Sequence, residues 1–395
     1  MAAPLPRLAV ILSHPTQYYS PWFIWLGAHT PLPFRVFYLW DFGVRDTRDP
    51  QFGTTFRWDR DLLSGYESEF VPNTAADPGT HHWRGLSNPA LPDRLAAWRP
   101  ECLLLFGYKW SAHLRALAWA RRHRVPVLFR GDSHFLGRGA PPLIRRLLLR
   151  LLYRQFAGIT YVGQANRDYF RLLGVREEQL FFAPHSVDQT LFDPANPTVQ
   201  AAAAALRTEH GLAGKRVVLF AGKMSERKQP VPLLRAFLQV ATENDALVFV
   251  GEGDERGALE SLARAHPDRR VRFLPFANQT EMPARYLLAD FFALPSHGFY
   301  ETWGLAVNEA MHMGVPCLVS DLVGCQRDLV RPGETGWVFE AGNLSALAQA
   351  LQAALRTPPE ELARLRSKVI ATISRYTYEQ TAAGLLQALA HLSSR

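Results

Sequence analysis

Glu301 and Glu309 are the residues whose types and spacing speak most directly of chemistry. They lie in Phe291-Phe-Ala-Leu-Pro-Ser-His-Gly-Phe-Tyr-Glu-Thr-Trp-Gly-Leu-Ala-Val-Asn-Glu-Ala-Met-His-Met-Gly-Val-Pro-Cys-Leu-Val-Ser320. The apolar run before Pro295 reads as a buried strand. Leu305, Asn308, Glu309 and His312 then fall at three- and four-residue spacings. Gly314 and Pro316 stop that helix before a second apolar run from Cys317. The loop of such a strand–helix–strand unit faces the carboxyl ends of the strands, where open parallel sheets bind ligands. At the helix start, the N–H groups of Trp303, Gly304 and Leu305 have no intrahelical acceptor and suit a phosphate, and Gly304 has no side chain to block it. Glu301 is poorly placed for phosphate but suits hydroxyls, and Glu309 lies about 12 Å further along if the span is helical. Phosphate in the middle and hydroxyls at both ends outline a nucleotide sugar. The competing reading is a pair of solvated acids at a helix start.

A second set of charges follows another strand pattern, Val217–Ala221. In Ala221-Gly-Lys-Met-Ser-Glu-Arg-Lys228, Gly222 is followed by Lys223 and then Lys228. Two cations at a strand's carboxyl end neutralise a diphosphate leaving group, the main electrostatic task in cleaving a nucleotide sugar. Two solvated lysines in a polar loop are the alternative.

The combined pattern, Glu301-x7-Glu309 followed by Ala-Met-x-x-Gly-x-Pro, resembles the donor site of glycosyltransferase family 4 (glycosyl transferases group 1), retaining enzymes of GT-B architecture. The Gly222–Lys228 stretch is similar to the family's Gly-Arg-x-x-x-x-Lys element, with Lys223 in the arginine's place. Pro184-His-Ser-Val-Asp-Gln-Thr-Leu-Phe192 resembles the family's Pro-Asn-Gly-Val-Asp-x-x-x-Phe segment, with His185 and Ser186 replacing Asn-Gly; a domain-closing turn is expected there. The resemblance implies that Glu309 binds ribose and Glu301 the donor sugar, with Gly222, Lys223, Lys228, Thr302, Trp303, Gly304 and Leu305 completing the donor site. It implies retention, the acceptor attacking from the leaving-group face. On the acceptor side, the loop Ser13–Ser20 lacks the family's glycines and offers His14 and Gln17 instead. Arg130-Gly-Asp-Ser-His134 offers Asp132 and His134 near the reacting sugar. Each of these histidines is equally a structural residue. Asp328 suits either an acidic site position or a helix start. Gly251-Glu-Gly253 is similar to a glycine turn near the nucleotide.

The elements that position these residues alternate along the chain. Strands are expected at Leu8–Ser13, Phe34–Trp40, Glu101–Phe106, Val125–Arg130 and Ile159–Val162. Helices are expected at Pro21–Ala28, Leu91–Trp98, Ser111–His123, Pro142–Phe156 and Gln164–Leu173. Alternation restarts at Val217–Ala221 and continues through Leu247–Val250, Val271–Leu274, Phe291–Leu294 and Cys317–Val319. This predicts an α/β protein with two doubly wound, Rossmann-like domains facing each other across a cleft. Its 395 residues also exceed what one core usually holds. The expected division is 1–195 for an acceptor-side domain and 196–375 for a donor domain, and the family resemblance implies that a terminal helix over 376–395 crosses back. Between Asp41 and Pro92 the chain is irregular and reads as a substrate-facing insertion.

Composition narrows the remaining classes. Cys102, Cys317 and Cys325 are too few and too scattered for a disulfide framework or zinc site, and point to a reducing compartment. No apolar run approaches a membrane span, and the amino-terminal run is too short for a signal-peptide core. A cytoplasmic protein, peripheral to a membrane at most, is expected. The net charge of +8 favours anionic partners, but no nucleic-acid module is recognisable. Asp59-Arg-Asp61 spells a metal motif of another glycosyltransferase architecture, but no strand precedes it; a surface role, with no cofactor and no essential metal, is expected. Arg146, Arg150 and Arg154 recur at four-residue spacing beside Leu143, Leu147 and Leu151. That pattern fits a membrane-surface helix, or a sheet-covering helix with an arginine face, which is the expectation adopted. The partners expected are a UDP-, GDP- or ADP-sugar and a glycan, lipid-linked or small-molecule acceptor, as in bacterial-type cell-surface polysaccharide or glycoconjugate synthesis. A GT-B phosphorylase or nucleotide-sugar epimerase, or a basic binding protein, is the alternative.

Overall fold

A computed structural model of the chain describes residues 5–44, 47–48, 55–56 and 58–393. Its strands are β1 (Leu8–Leu12), β2 (Phe34–Tyr38), β3 (Thr47–Arg48), β4 (Thr55–Phe56), β5 (Ser68–Phe70), β6 (Cys102–Phe106), β7 (Val127–Arg130), β8 (Gly158–Tyr161) and β9 (Leu180–Phe182), then β10 (Arg216–Ala221), β11 (Asp245–Val250), β12 (Arg270–Leu274), β13 (Phe291–Leu294), β14 (Cys317–Ser320) and β15 (Gly336–Phe339). Seven form one sheet in the order β5-β2-β1-β6-β7-β8-β9. Six form a second in the order β12-β11-β10-β13-β14-β15. Every pairing in both is parallel. With helices on both faces, the central strands bury both sides, so β1, β6 and β11 are buried throughout.

In the two large sheets, three strands escape the sequence reading: β5, β9 and β15. Each lies at a sheet edge and is three or four residues long. Their residues are mostly half-buried, so no continuous apolar run marks them. The irregular stretch after Asp41 holds a two-stranded antiparallel ladder, β3 with β4, and the edge strand β5; residues 45–46, 49–54 and 57 of it lie outside the described set.

Each sheet is sandwiched between two apolar clusters. On one face of the first sheet, Val10, Val36 and Leu104 pack with Leu385 and Leu389 of the Tyr378–Ser393 helix. That last helix therefore returns to the sheet that opened the chain. It sits close: a side chain added at Gly384 would place its first carbon 2.0 Å from the Phe182 carbonyl oxygen. Only glycine allows the approach. The second sheet carries its clusters around Val217 and Val248 on one face and Val218 and Phe237 on the other.

Candidate active site

The carboxyl ends of β10 and β13 face the loops that follow β1, β7 and β9, and a cavity of about 420 Å³ lies between them. The loop after β13 leads into the Leu305–His312 helix through Gly304, whose φ of 98° lies in the left-handed region. A side-chain carbon there would come within 2.9 Å of Val323, so both the turn and the packing require glycine. The N–H groups of Trp303, Gly304 and Leu305 have no acceptor among the described residues. They stand at the positive end of the helix, where an anion is favoured.

Two acids border this helix start. Glu301 is ion-paired with Lys228, from the turn after β10, and accepts a hydrogen bond of 3.0 Å from Ser296 Oγ. Glu309, one helical stretch deeper, is 4% exposed and accepts a 2.7 Å hydrogen bond from the Tyr286 hydroxyl. Tyr18, from the loop after β1, also hydrogen-bonds Glu309. Burial pushes this carboxyl up to about 7, against the pull of both tyrosines. A carboxylate held by two hydroxyls and opening on a cavity is an acceptor for further hydroxyl donors. Lys223 and Lys228 line the same wall, and Arg227 joins them as a third cation.

The opposite wall comes from the first sheet. Asp132, in the loop after β7, accepts a 2.8 Å hydrogen bond from Thr302 Oγ1 across the cleft. Its carboxylate lies 3.7 Å from His185 Nε2. Burial acts to raise the Asp132 pKa, but His185 and Thr302 outweigh it and hold it below the usual carboxylate range. The Trp303 indole donates to Asn308 Oδ1 at 2.8 Å, and Asn308 Nδ2 donates to the His185 carbonyl at 3.0 Å. One helix start thus fixes the loops of both sheets. Beneath them, buried Arg130 donates to the carbonyls of Ala183 and Pro184 at 2.8 and 3.3 Å and so holds the His185 loop.

Most sequence-predicted residues meet at this cavity: Glu301, Glu309, Lys223 and Lys228 with Gly222, Thr302, Trp303, Gly304 and Leu305, and Asp132 and Gln17 opposite. Two do not line it. His14 is half-buried, with its ring edge-on to Trp40 and Phe42 at 5.9 and 5.4 Å; desolvation of the ring lowers its pKa to about 4. It fills an aromatic niche and presents no charge. His134 turns toward the cleft roof, its Nδ1 accepting from Leu136 N at 3.1 Å and its Nε2 lying 3.4 Å from the Glu301 carbonyl. Trp303 contributes backbone to the cavity but buries its ring. The Gln164 N–H meets both oxygens of Asp328, at 3.1 and 3.0 Å, so Asp328 caps a helix start, and does so across the two sheets. Asp59 accepts from Thr280 N at 3.1 Å, while Asp61 holds the N–H groups of Leu63 and Ser64.

His185, Tyr18, Tyr286 and Arg227 line the cavity without having been picked out. His185 carried a signal, since it and Ser186 depart from the family's Asn-Gly in an otherwise matching segment. Tyr18 adjoins the candidate Gln17. Tyr286 carried none, since its hydroxyl meets Glu309 only in three dimensions.

Two parallel-sheet halves closing on a cleft at their strands' carboxyl ends define the GT-B architecture. The solved structure of HepE from Anabaena in complex with UDP has the same fold, with a TM-score of 0.73 over 98% of this chain and 100% of that one, at 18% identity. Residues 204–368 match the family model of glycosyl transferases group 1. D-inositol 3-phosphate glycosyltransferase of Nocardia farcinica is 26% identical over 349 residues, 80% of this chain and 74% of that one. Phosphatidyl-myo-inositol mannosyltransferase of Mycobacterium leprae is 31% identical over 179 residues, 44% of this chain and 46% of that one. Residues 204–368 are thus of the glycosyl transferases group 1 type, and the chain is a glycosyltransferase.

Proposed function

We propose that this chain transfers a sugar, with retention, from a UDP-sugar to a hydroxyl of an acceptor in glycoconjugate synthesis, in a reducing cytoplasmic compartment. Supporting it is one juxtaposition: open helix-start amides and three cations on one wall, between the hydroxyl-accepting Glu309 and Glu301, with Asp132 opposite. In this reading residues 196–375 hold the donor, and residues 1–195 with the returning helix hold the acceptor.

The ribose hydroxyls donate to Glu309. The diphosphate lies on the amides of Gly304 and Leu305, between Lys223 and Lys228. Glu301 takes a hydroxyl of the donor sugar while Lys228 orients it. The sugar–phosphate bond breaks as the acceptor oxygen bonds to the same carbon from the same face. The acceptor proton passes to the departing phosphate oxygen, and the products are the glycoside and UDP. Asp132 holds the acceptor hydroxyl, and His185 holds Asp132. Negative charge grows on the diphosphate as the bond breaks, so the cations and the helix start stabilise the transition state more than the bound donor.

A uridine nucleotide is supported by the likeness to HepE, whose solved complexes contain UDP and UDP-glucose. Thermal shift with UDP-, GDP- and ADP-sugars tests it, and the UDP series is expected to stabilise the chain most. Product analysis with a labelled donor distinguishes transfer from phosphorolysis or epimerisation. A labelled free sugar phosphate, or an epimerised UDP-sugar with no glycoside, contradicts the reading.

A further inference from the structure

The helix Leu143–Tyr153 is turned the opposite way from the arginine-out orientation expected of its sequence. Leu149 and Tyr153 face the first sheet's core, and Arg146 and Arg150 are half-buried beside them. Leu143, Ile144, Leu147, Leu148 and Leu151 are 69%, 76%, 50%, 62% and 55% exposed. They make up five of the ten large hydrophobic side chains exposed among the described residues, so the apolar exposure is concentrated here and is not a scatter of single residues. With 3.6 residues per turn, these positions cover about 140° of the helix circumference as one stripe. A contiguous apolar stripe of this kind marks an interaction surface.

The charges around the stripe identify what covers it. Arg145 is exposed along one border, Arg150 flanks the other, and Arg154 is exposed at the carboxyl end. From Arg138 to Arg154 there are five arginines and no acid. A second copy laid symmetrically on this face would bring two arginine borders together. An anionic lipid surface supplies both complements at once, acyl chains for the stripe and phosphates for its borders. No helix among the described residues is long and apolar enough to cross a membrane, so the surface is one to lie on.

We propose that the outward face of the Leu143–Tyr153 helix inserts into the headgroup region of an anionic bilayer. The segment 131–142, which carries Asp132, runs directly into this helix. Docking therefore tethers that wall of the cleft to the membrane. The proposal does not depend on the transferase reading, because its test reads binding and not turnover.

The test is sedimentation of the full chain with vesicles of phosphatidylcholine alone and of phosphatidylcholine with about one third phosphatidylglycerol. Retention on the anionic vesicles is expected to exceed that on neutral ones by about tenfold or more, and to fall with salt. Removing each of Arg145 and Arg154 (R145Q, R154Q) is expected to weaken binding about fivefold, the equivalent of about 1 kcal/mol per cation. The double variant I144E/L148E, at positions already facing solvent, is expected to abolish binding with an unchanged melting temperature. An L148W reporter is expected to shift its emission to the blue on anionic vesicles. Equal retention on both vesicles, retention on neither, or no emission shift overturns the proposal. So does a dimer in solution that I144E/L148E splits while vesicle binding is absent, which assigns the face to a second copy.

Discussion

The Thr302 hydroxyl of one half and the Asp132 carboxylate of the other are hydrogen-bonded at 2.8 Å, directly across the cleft. Asp132 also faces His185 at 3.7 Å, and 41% of its side chain remains open. A carboxylate oriented from two sides and still accessible is suited to hold an acceptor hydroxyl.

Asp132→Asn is therefore expected to lower kcat/KM for the acceptor by about two orders of magnitude, within the range for a positioned acid or base. The dissociation constant for UDP is expected to stay unchanged, because the nucleotide is proposed to lie on the other wall. Isothermal titration and initial rates measure the two separately. An equal loss of UDP affinity assigns Asp132 to cleft closure instead.

The raised pKa of Glu309 makes a prediction about stability and pH. Burial moves it from 4.5 to about 7, while in the unfolded chain the proton leaves near pH 4.5. Between these values the folded state holds more protons than the unfolded one, so stability falls as pH rises through that window. Glu309→Gln lacks this dependence. The stability of the variant relative to wild type is expected to rise by up to about 3 kcal/mol from pH 4.5 to 8, read from urea unfolding. An unchanged difference contradicts the burial argument.

The same residue links pH to nucleotide binding. Ionised Glu309 accepts ribose hydroxyls better than the protonated form, so the ratio of wild-type to Glu309→Gln affinity for UDP is expected to rise through about pH 7. Above that pH, losing a charge-assisted contact costs roughly 1.5–3 kcal/mol. Identical dissociation constants at pH 8 count against ribose at this position.

Transfer is expected to persist in excess EDTA, because Lys223, Arg227, Lys228 and the helix start line the cavity where the diphosphate is proposed to lie. Asp59 and Asp61, the spelled metal motif, accept from Thr280 and from the Leu63 turn instead. Loss of activity in EDTA that manganese restores is the contrary result.

The wall proposed to hold the donor was the part of this site most legible in sequence. A buried strand, a Gly304 turn and a helix with acids at fixed offsets are local features, and local features are written in spacing. The partners of those acids were not: Tyr286 is 23 positions from Glu309, and Tyr18 comes from the other sheet. His14 misled because a histidine after a first strand looks polar, yet Trp40 and Phe42 enclose it. The stretch from Leu143 misled differently. Arginine and leucine periodicities were both visible, and only packing against Leu149 and Tyr153 decided which face turned inward. Edge strands β5, β9 and β15 were silent, since half-buried strands of three or four residues leave no apolar run.

Lys228 is ion-paired with Glu301 at the proposed donor side of the cleft. If the cleft cleaves a nucleotide sugar, its ammonium matters most when charge develops on the departing diphosphate. Single-turnover rates at saturating donor, with donor dissociation constants measured alongside, separate that role from simple binding. Lys228→Ala is expected to lower turnover by two orders of magnitude or more, about 2.7 kcal/mol, while donor affinity changes less. Near-normal turnover at saturating donor would show that the leaving group is stabilised elsewhere and would contradict the donor site described.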